Sequence, residues 1–178
     1  MGSRALDQNM PDILQTTINQ FCDDVEGFLE AMGAVWPECE GVAQLRREFG
    51  LTARSPMATV RNLAQRTIID TFHREMAPFY TRVRAEDGSI FFEAGDKIDI
   101  LKNINMAAKW DDQAVDDVTR KNVFAWLIRI CGHSELYSFY ARVPPAMLRR
   151  FTGVAMDLAS QDGTGTVSYT HLTLPTKA

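Results

Sequence analysis

What this chain has little of narrows its possibilities first. Its 178 residues hold three cysteines, Cys22, Cys39 and Cys131, an odd number with no CxxC pair. That pattern excludes a disulfide framework and reads as reduced thiols in a cytosolic or nuclear protein. Histidine is equally scarce, at three. Zinc needs three or four Cys or His ligands. Cys131 and His133 stand about 200° apart on a helical wheel, so they cannot share a metal there, and His73 is solitary. Glycine loops of the GxGxxG or GxxxxGK kind, which cradle phosphates, are missing. There is no signal-peptide-like run and no apolar stretch convincing as a membrane anchor. A net charge of −4 gives no general attraction to nucleic acid. No internal repeat suggests a solenoid.

The tempting calcium reading also fails on missing ligands. Asp87-Gly88-Ser89-Ile90 resembles the middle of an EF-hand loop, but that frame puts Val83, Ala85 and Ala94 at ligand positions, with Glu93 one residue out of register. No Ser or Cys has a local His and orienting group for nucleophilic catalysis. The sequence therefore assigns no catalytic residue, no cofactor and no metal ligand.

What is present is helical periodicity. The stretch Asp116–Tyr140 is the longest helical reading and the most apolar. Asp116 is a good N-cap, and Asp117 places a negative charge in the first turn, where the helix dipole favours it. Val123, Phe124, Trp126, Leu127, Ile128, Ile130, Cys131 and Tyr137 cover over half its circumference, leaving a narrow polar stripe of Asn122, Arg129 and His133. Such a helix must be covered from several sides. Arg129, His133 and Glu135 interrupt it too often for a membrane span.

The covering helices follow from the same periodicity. Leu14, Ile18, Phe21, Val25, Phe28 and Met32 form one seam over about Asp12–Met32, widened by Cys22 and Leu29, with Asp23, Asp24, Glu26 and Glu30 pointing elsewhere. A second helix carries Val42, Leu45 and Phe49 and stops at Gly50. Ser55-Pro56 restarts the chain as an N-cap followed by proline at the first helical position. Ile68, Phe72, Met76, Phe79 and Val83 keep one face through Pro78, so a kink or break is expected near Ala77. Ile90-Phe91-Phe92 is too short for a helix and should tuck under the bundle. Ile98, Leu101, Ile104 and Ala108 mark a fourth face ending near Trp110. Leu148, Phe151, Ala155 and Leu158 mark a last helix after Pro144-Pro145.

The fold class expected is all-α: a single domain of five or six helices over about residues 11–160, around a buried central helix at about 117–140. Residues 1–10 read as a flexible end. From Gln161 the helical period is lost, and VSYTHLTLPT is similar to translated adapter read-through, so 161–178 is expected to be unstructured and non-native.

Charge comes in blocks: −8 over residues 5–40, +5 over 41–84, −6 over 85–117 and +4 over 118–160. Basic helices set beside acidic ones can neutralise each other inside the fold, and Arg66, Asp70 and Arg74 can pair along one helix face. The alternative is that Arg61, Arg66 and Arg74 offer a basic face to an acidic partner or phosphate backbone.

Trp36-Pro37, Pro78-Phe79-Tyr80, Asp87 with Phe91-Phe92, Trp110 before an acidic link, and Lys121-Asn122 leading into Phe124-Ala125-Trp126-Leu127 form a recurring layout. Over roughly residues 25–137 this resembles a family of uncharacterised small helical proteins of large double-stranded DNA viruses of algae and protists, and related environmental sequences. The resemblance implies an intracellular protein made during infection, and no reaction.

The functional expectation is a non-enzymatic protein-interaction module, with a protein partner or a second copy as its ligand. Arg66, Arg74, Arg129 and His133 are the partner-binding candidates, His133 as a surface residue on the polar stripe. Two alternatives stand beside it. One is a small enzyme whose site assembles only in three dimensions; the other is a weak nucleic-acid binder using the basic third helix.

Overall fold

Helix α8, Asp117–Arg142, is the element that the others cover. The structure is a computed structural model, described here for residues 12–111, 115–151 and 153. The chain divides into two units after Arg142. Among the described residues there is no strand, so the all-α expectation holds.

Asp116 starts α8 as the sequence predicts: its Oδ1 accepts the Thr119 backbone N–H at 2.7 Å. Val123, Phe124, Leu127, Ile130 and Cys131 are buried along it. Three helices pack on it: α1 (Asp12–Val35), α3 (Ala58–Met76) and α4 (Tyr80–Arg84). Trp126 is only half-buried and lies over Gly27 of α1, where an added Cβ would come within 2.5 Å of the indole. At the other side Phe91, Trp110 and Phe124 form a ring cluster with centroids 4.4–5.5 Å apart, a spacing at which tilted aromatic pairs attract.

The covering helices depart from expectation mainly at their ends. α2 spans Glu40–Thr52, so Gly50 does not stop it. Nothing there needs a left-handed backbone: the Ala53 N–H simply closes on Phe49 O. α3 begins at Ala58, not at Ser55-Pro56, because the Ser55 hydroxyl accepts the Met57 N–H in a separate turn. The break near Ala77 is present. α3 ends at Met76, a 3-10 turn covers Ala77–Phe79, and α4 resumes at Tyr80 with Phe72, Met76 and Val83 all buried.

Ile90-Phe91-Phe92 is helical after all. It opens the single turn α5 (Ile90–Ala94), which buries Ile90 and Phe91 and leaves Phe92 exposed. The fourth face is two helices, α6 (Asp99–Ile104) and α7 (Met106–Trp110), separated by Asn105 in the left-handed region at φ 56°. Such short turns raise the count above the five or six expected.

The loop that imitates an EF-hand is closed by its own side chains. Asp87 accepts from Ser89 and from Arg82, and Arg82 also pairs with Glu93. The Ser89 hydrogen bond, followed by Arg82, holds the Asp87 carboxyl down at about 2.

In the second unit, residues 145–151 are helical, with Met147 and Phe151 exposed. Ala155 and Leu158 of the predicted last helix, the flexible end 1–10 and the tail 161–178 lie outside the described residues. No helix among the described residues is long and apolar enough to cross a membrane.

Candidate functional site

α2, α3 and α6 stand apart above the buried seam of α1. The result is an open groove of about 480 Å³, within the range that binding sites occupy. Phe21, Val25 and Leu29 of α1 form its floor, each four residues from the next and so stacked on one helical face. Leu45 and Phe49 of α2 stand on one side, Ile68 and Phe72 of α3 on the other, and Ile100 of α6 closes one end.

The polar atoms around the groove differ in what they still need. Thr52 and Thr67 already donate their hydroxyls to carbonyls one turn back, of Glu48 and Leu63. They therefore add little demand for a polar ligand. Glu48, Glu75 and Asp99 also line the groove, one from each of three helices. Glu48 accepts from the Gln44 amide and Glu75 from the Asp99 backbone N–H, both neutral donors. Among the described residues, no Lys, Arg or His is paired with any of these three carboxylates. No basic side chain lines the groove either. It is an apolar trough with a negative rim.

The sequence-derived candidates lie elsewhere and fall into two pairs. Arg129 and His133 do meet, but on a protein carboxylate. Asp24 of α1, its side chain only 5 % exposed, lies 2.6 Å from Arg129 Nη2 and 2.9 Å from His133 Nε2. This corrects two expectations. Asp24 does not point away from the packed seam, and His133 is not a free surface residue, because α1 covers that part of the polar stripe. Arg129 also lies over the Trp126 ring, 5.1 Å from its centroid, which holds the guanidinium at the helix surface. Arg66 and Arg74 remain on α3. Their charges act on Asp70, whose carboxyl is pushed up by burial and drawn back by His73, Arg74 and Arg66.

Other cations of the basic blocks are also engaged. Arg54 takes Asp23 and Glu26 of α1, and Arg84 takes Glu135 of α8. The cleft of about 510 Å³ beside Arg54 and Arg61 is thereby supplied with internal partners, since Arg61 donates to the Ser55 carbonyl. The charge blocks do face one another within the fold.

One hydrogen-bonded chain would be worth testing as an enzyme site. Ser134 donates to the Cys131 carbonyl at 2.9 Å, and Tyr80 lies between Ser134 and His73. Each hydroxyl has one proton, so Tyr80 donates to Ser134 and His73 donates to Tyr80 through Nδ1, at 2.9 Å. Burial pushes the Tyr80 hydroxyl well above its ordinary range, the Cys131 thiol up to about 12, and the His73 imidazole down. None of these groups is thereby made a better nucleophile, and Ser134 is fully buried. His73, Tyr80 and Ser134 line neither the groove nor the cleft beside Arg54 and Arg61. The chain ties α3, α4 and α8 together. Among the described residues no group of three or more His, Cys, Asp or Glu is placed to hold a metal.

Sequence reasoning missed the groove because its parts come from four helices. The one available signal was Glu75, seven residues after Ile68 on the same face of α3. No protein family, no curated protein and no solved structure matches this chain.

Proposed function

We propose that this chain is a non-enzymatic protein-interaction module, and that the groove between α2, α3 and α6 is its docking surface. One observation carries the reading: the half-buried Leu45, Ile68 and Ile100, from three helices, share an open groove under an acidic rim to which no described cation is paired. A groove of this size with accessible apolar walls is a place for a further element to bind. The surface continues beyond the groove. At 100° per residue Val60, Leu63, Thr67 and Thr71 share one stripe of α3, and Leu63 is 67 % exposed.

The alternatives draw less support. For an enzyme, the hydrogen-bonded chain with shifted groups lines neither the groove nor the cleft beside Arg54 and Arg61. For a nucleic-acid binder, the guanidinium groups of Arg54, Arg82, Arg84 and Arg129 are already taken by carboxylates. The resemblance to the viral proteins supports a process in an infected cell.

The test is a photo-reactive side chain placed at Thr71, in the groove, and in a second protein at Lys121, on the exposed side of α8. Irradiated in cells, the Thr71 protein should form discrete polypeptide adducts that Ile68→Glu removes, and the Lys121 protein should not form them. No adduct at Thr71, or the same adducts from both positions, would refute the docking surface.

A further inference from the structure

Resting on that reading, we infer that the groove takes a basic amphipathic helix: an apolar ridge seated on the half-buried Leu45, Ile68 and Ile100, flanked by lysines or arginines that meet Glu48, Glu75 and Asp99. Charge complementarity carries the choice. The rim holds three carboxylates on three different helices with no cation paired to them among the described residues. A single ammonium could satisfy one of them. Cations repeated along a helix can reach carboxylates that come from three different helices, because residues three and four apart project from the same face. The geometry also selects a helix over a strand. An extended peptide binds by adding to a sheet edge, and the described residues contain no sheet. A ridge of side chains at i, i+3, i+4 and i+7 instead fits a trough walled by two helices. An acidic or neutral ridge would leave the rim carboxylates facing either like charge or desolvation without compensation. Specificity would come from that repulsion as much as from the attraction.

The proposal predicts a preference that can be measured with designed probes. Two fluorescein-labelled helical peptides would carry the same leucine ridge, one flanked by lysines and one by glutamates. They would be titrated into the full chain, with methyl shifts of Ile68 and Ile100 recording where they bind. The lysine peptide should bind about tenfold or more tightly than the glutamate peptide at low salt, with the difference shrinking as salt screens the rim. Glu48→Gln/Glu75→Gln/Asp99→Asn should bring the two affinities together while leaving the helical circular dichroism intact. Thr71→Lys, which sets a cation in the groove wall, should independently narrow the preference. Equal binding of both peptides in the groove would overturn the basic partner and leave the docking surface standing. Binding that leaves the Ile68 and Ile100 methyls unmoved would overturn the site. Two further outcomes would replace the occupant. One is a dimer in sedimentation that Thr71→Lys dissolves. The other is an intramolecular crosslink from position 71 to residues 1–11 or 154–178.

Discussion

Single side chains decide how α1 is locked to α8. Asp24 is one turn from Phe28 and on the edge of the α1 seam, so a helical wheel leaves it ambiguous; only the approach of α8 on that flank buries it. Its Oδ1 accepts a hydrogen bond from Arg129 while His133 Nε2 stands within ion-pair distance of its Oδ2, and hydrogen bonds to charged groups contribute more than neutral ones. Asp24→Ala should therefore lower unfolding free energy by about 2–3 kcal/mol. Arg129→Ala should cost clearly less, since that side chain is 61 % exposed. Urea titrations of both variants check the order, and a reversed order would show that the buried Asp24 is not what anchors α1 to α8. His73 gives the pH dependence. Burial, with Arg142 adding to it, holds its imidazole below the ordinary value of 6.5, so the unfolded chain takes up the proton first. The stability tied to neutral His73 is complete above pH 6.5 and is lost as pH falls through that value toward the folded-state pKa. The urea midpoint of the parent should drop between pH 7.5 and 5. His73→Gln, which keeps a donor toward Tyr80 without titrating, should drop less. Equal drops in the two proteins would assign the acid sensitivity to other groups.

At the scale of elements, close approaches separate what periodicity reveals from what it hides. The seam of α1, the proline break after Met76 and the course of α8 were legible, because each depends on spacing within one segment. The ends of α2 and α3 were not, because Gly50 and Ser55 carry stop and start signals that neighbouring turns override. α5 and the α6–α7 break were illegible for a different reason: a five-residue helix has too few turns to show a period and is held by burial of Ile90, Phe91, Leu101 and Ile104. Gly41 shows how tight that holding is. A Cβ there would stand 1.7 Å from the Asn103 carbonyl oxygen, so the start of α2 rests directly on the backbone of α6. Gly132, inside α8, would meet nothing within 4 Å. The same substitution should therefore have opposite signs at the two places. Gly41→Ala should destabilise by about 3 kcal/mol, as overpacking against backbone does. Gly132→Ala should stabilise by about 0.5–1 kcal/mol, from helix propensity alone. Thermal melts of the two proteins measure both signs, and a harmless Gly41→Ala would mean that α2 and α6 are not in contact at that point.

For the unit that ends at Arg142, the arrangement of covering helices fixes how it should unfold. α1, α3 and α4 pack mainly through α8, and the aromatic cluster joins α5 and α7 to the same helix. A structure with such a hub has no stable remainder once the hub leaves, which is the condition for all-or-none unfolding. Leu127 is the most direct probe, being fully buried in the middle of α8. Its truncation to alanine deletes apolar contacts on several helices at once and should cost about 3 kcal/mol. The informative measurement is the shape of the transition. Trp36, Trp110 and Trp126 report from three parts of this unit, whereas far-ultraviolet dichroism reports all its helices. In both the parent and Leu127→Ala, the tryptophan and dichroism curves should coincide, and the denaturant slope should stay constant while the midpoint falls. The groove makes this a demanding test. An open trough between α2 and α3 is where the bundle could separate into α1–α2 and α3–α8 halves. Two resolved midpoints, with helicity outlasting the tryptophan signal, would show that α8 is not the common support. In that case the groove would be better described as a seam between two subdomains than as a docking surface on one.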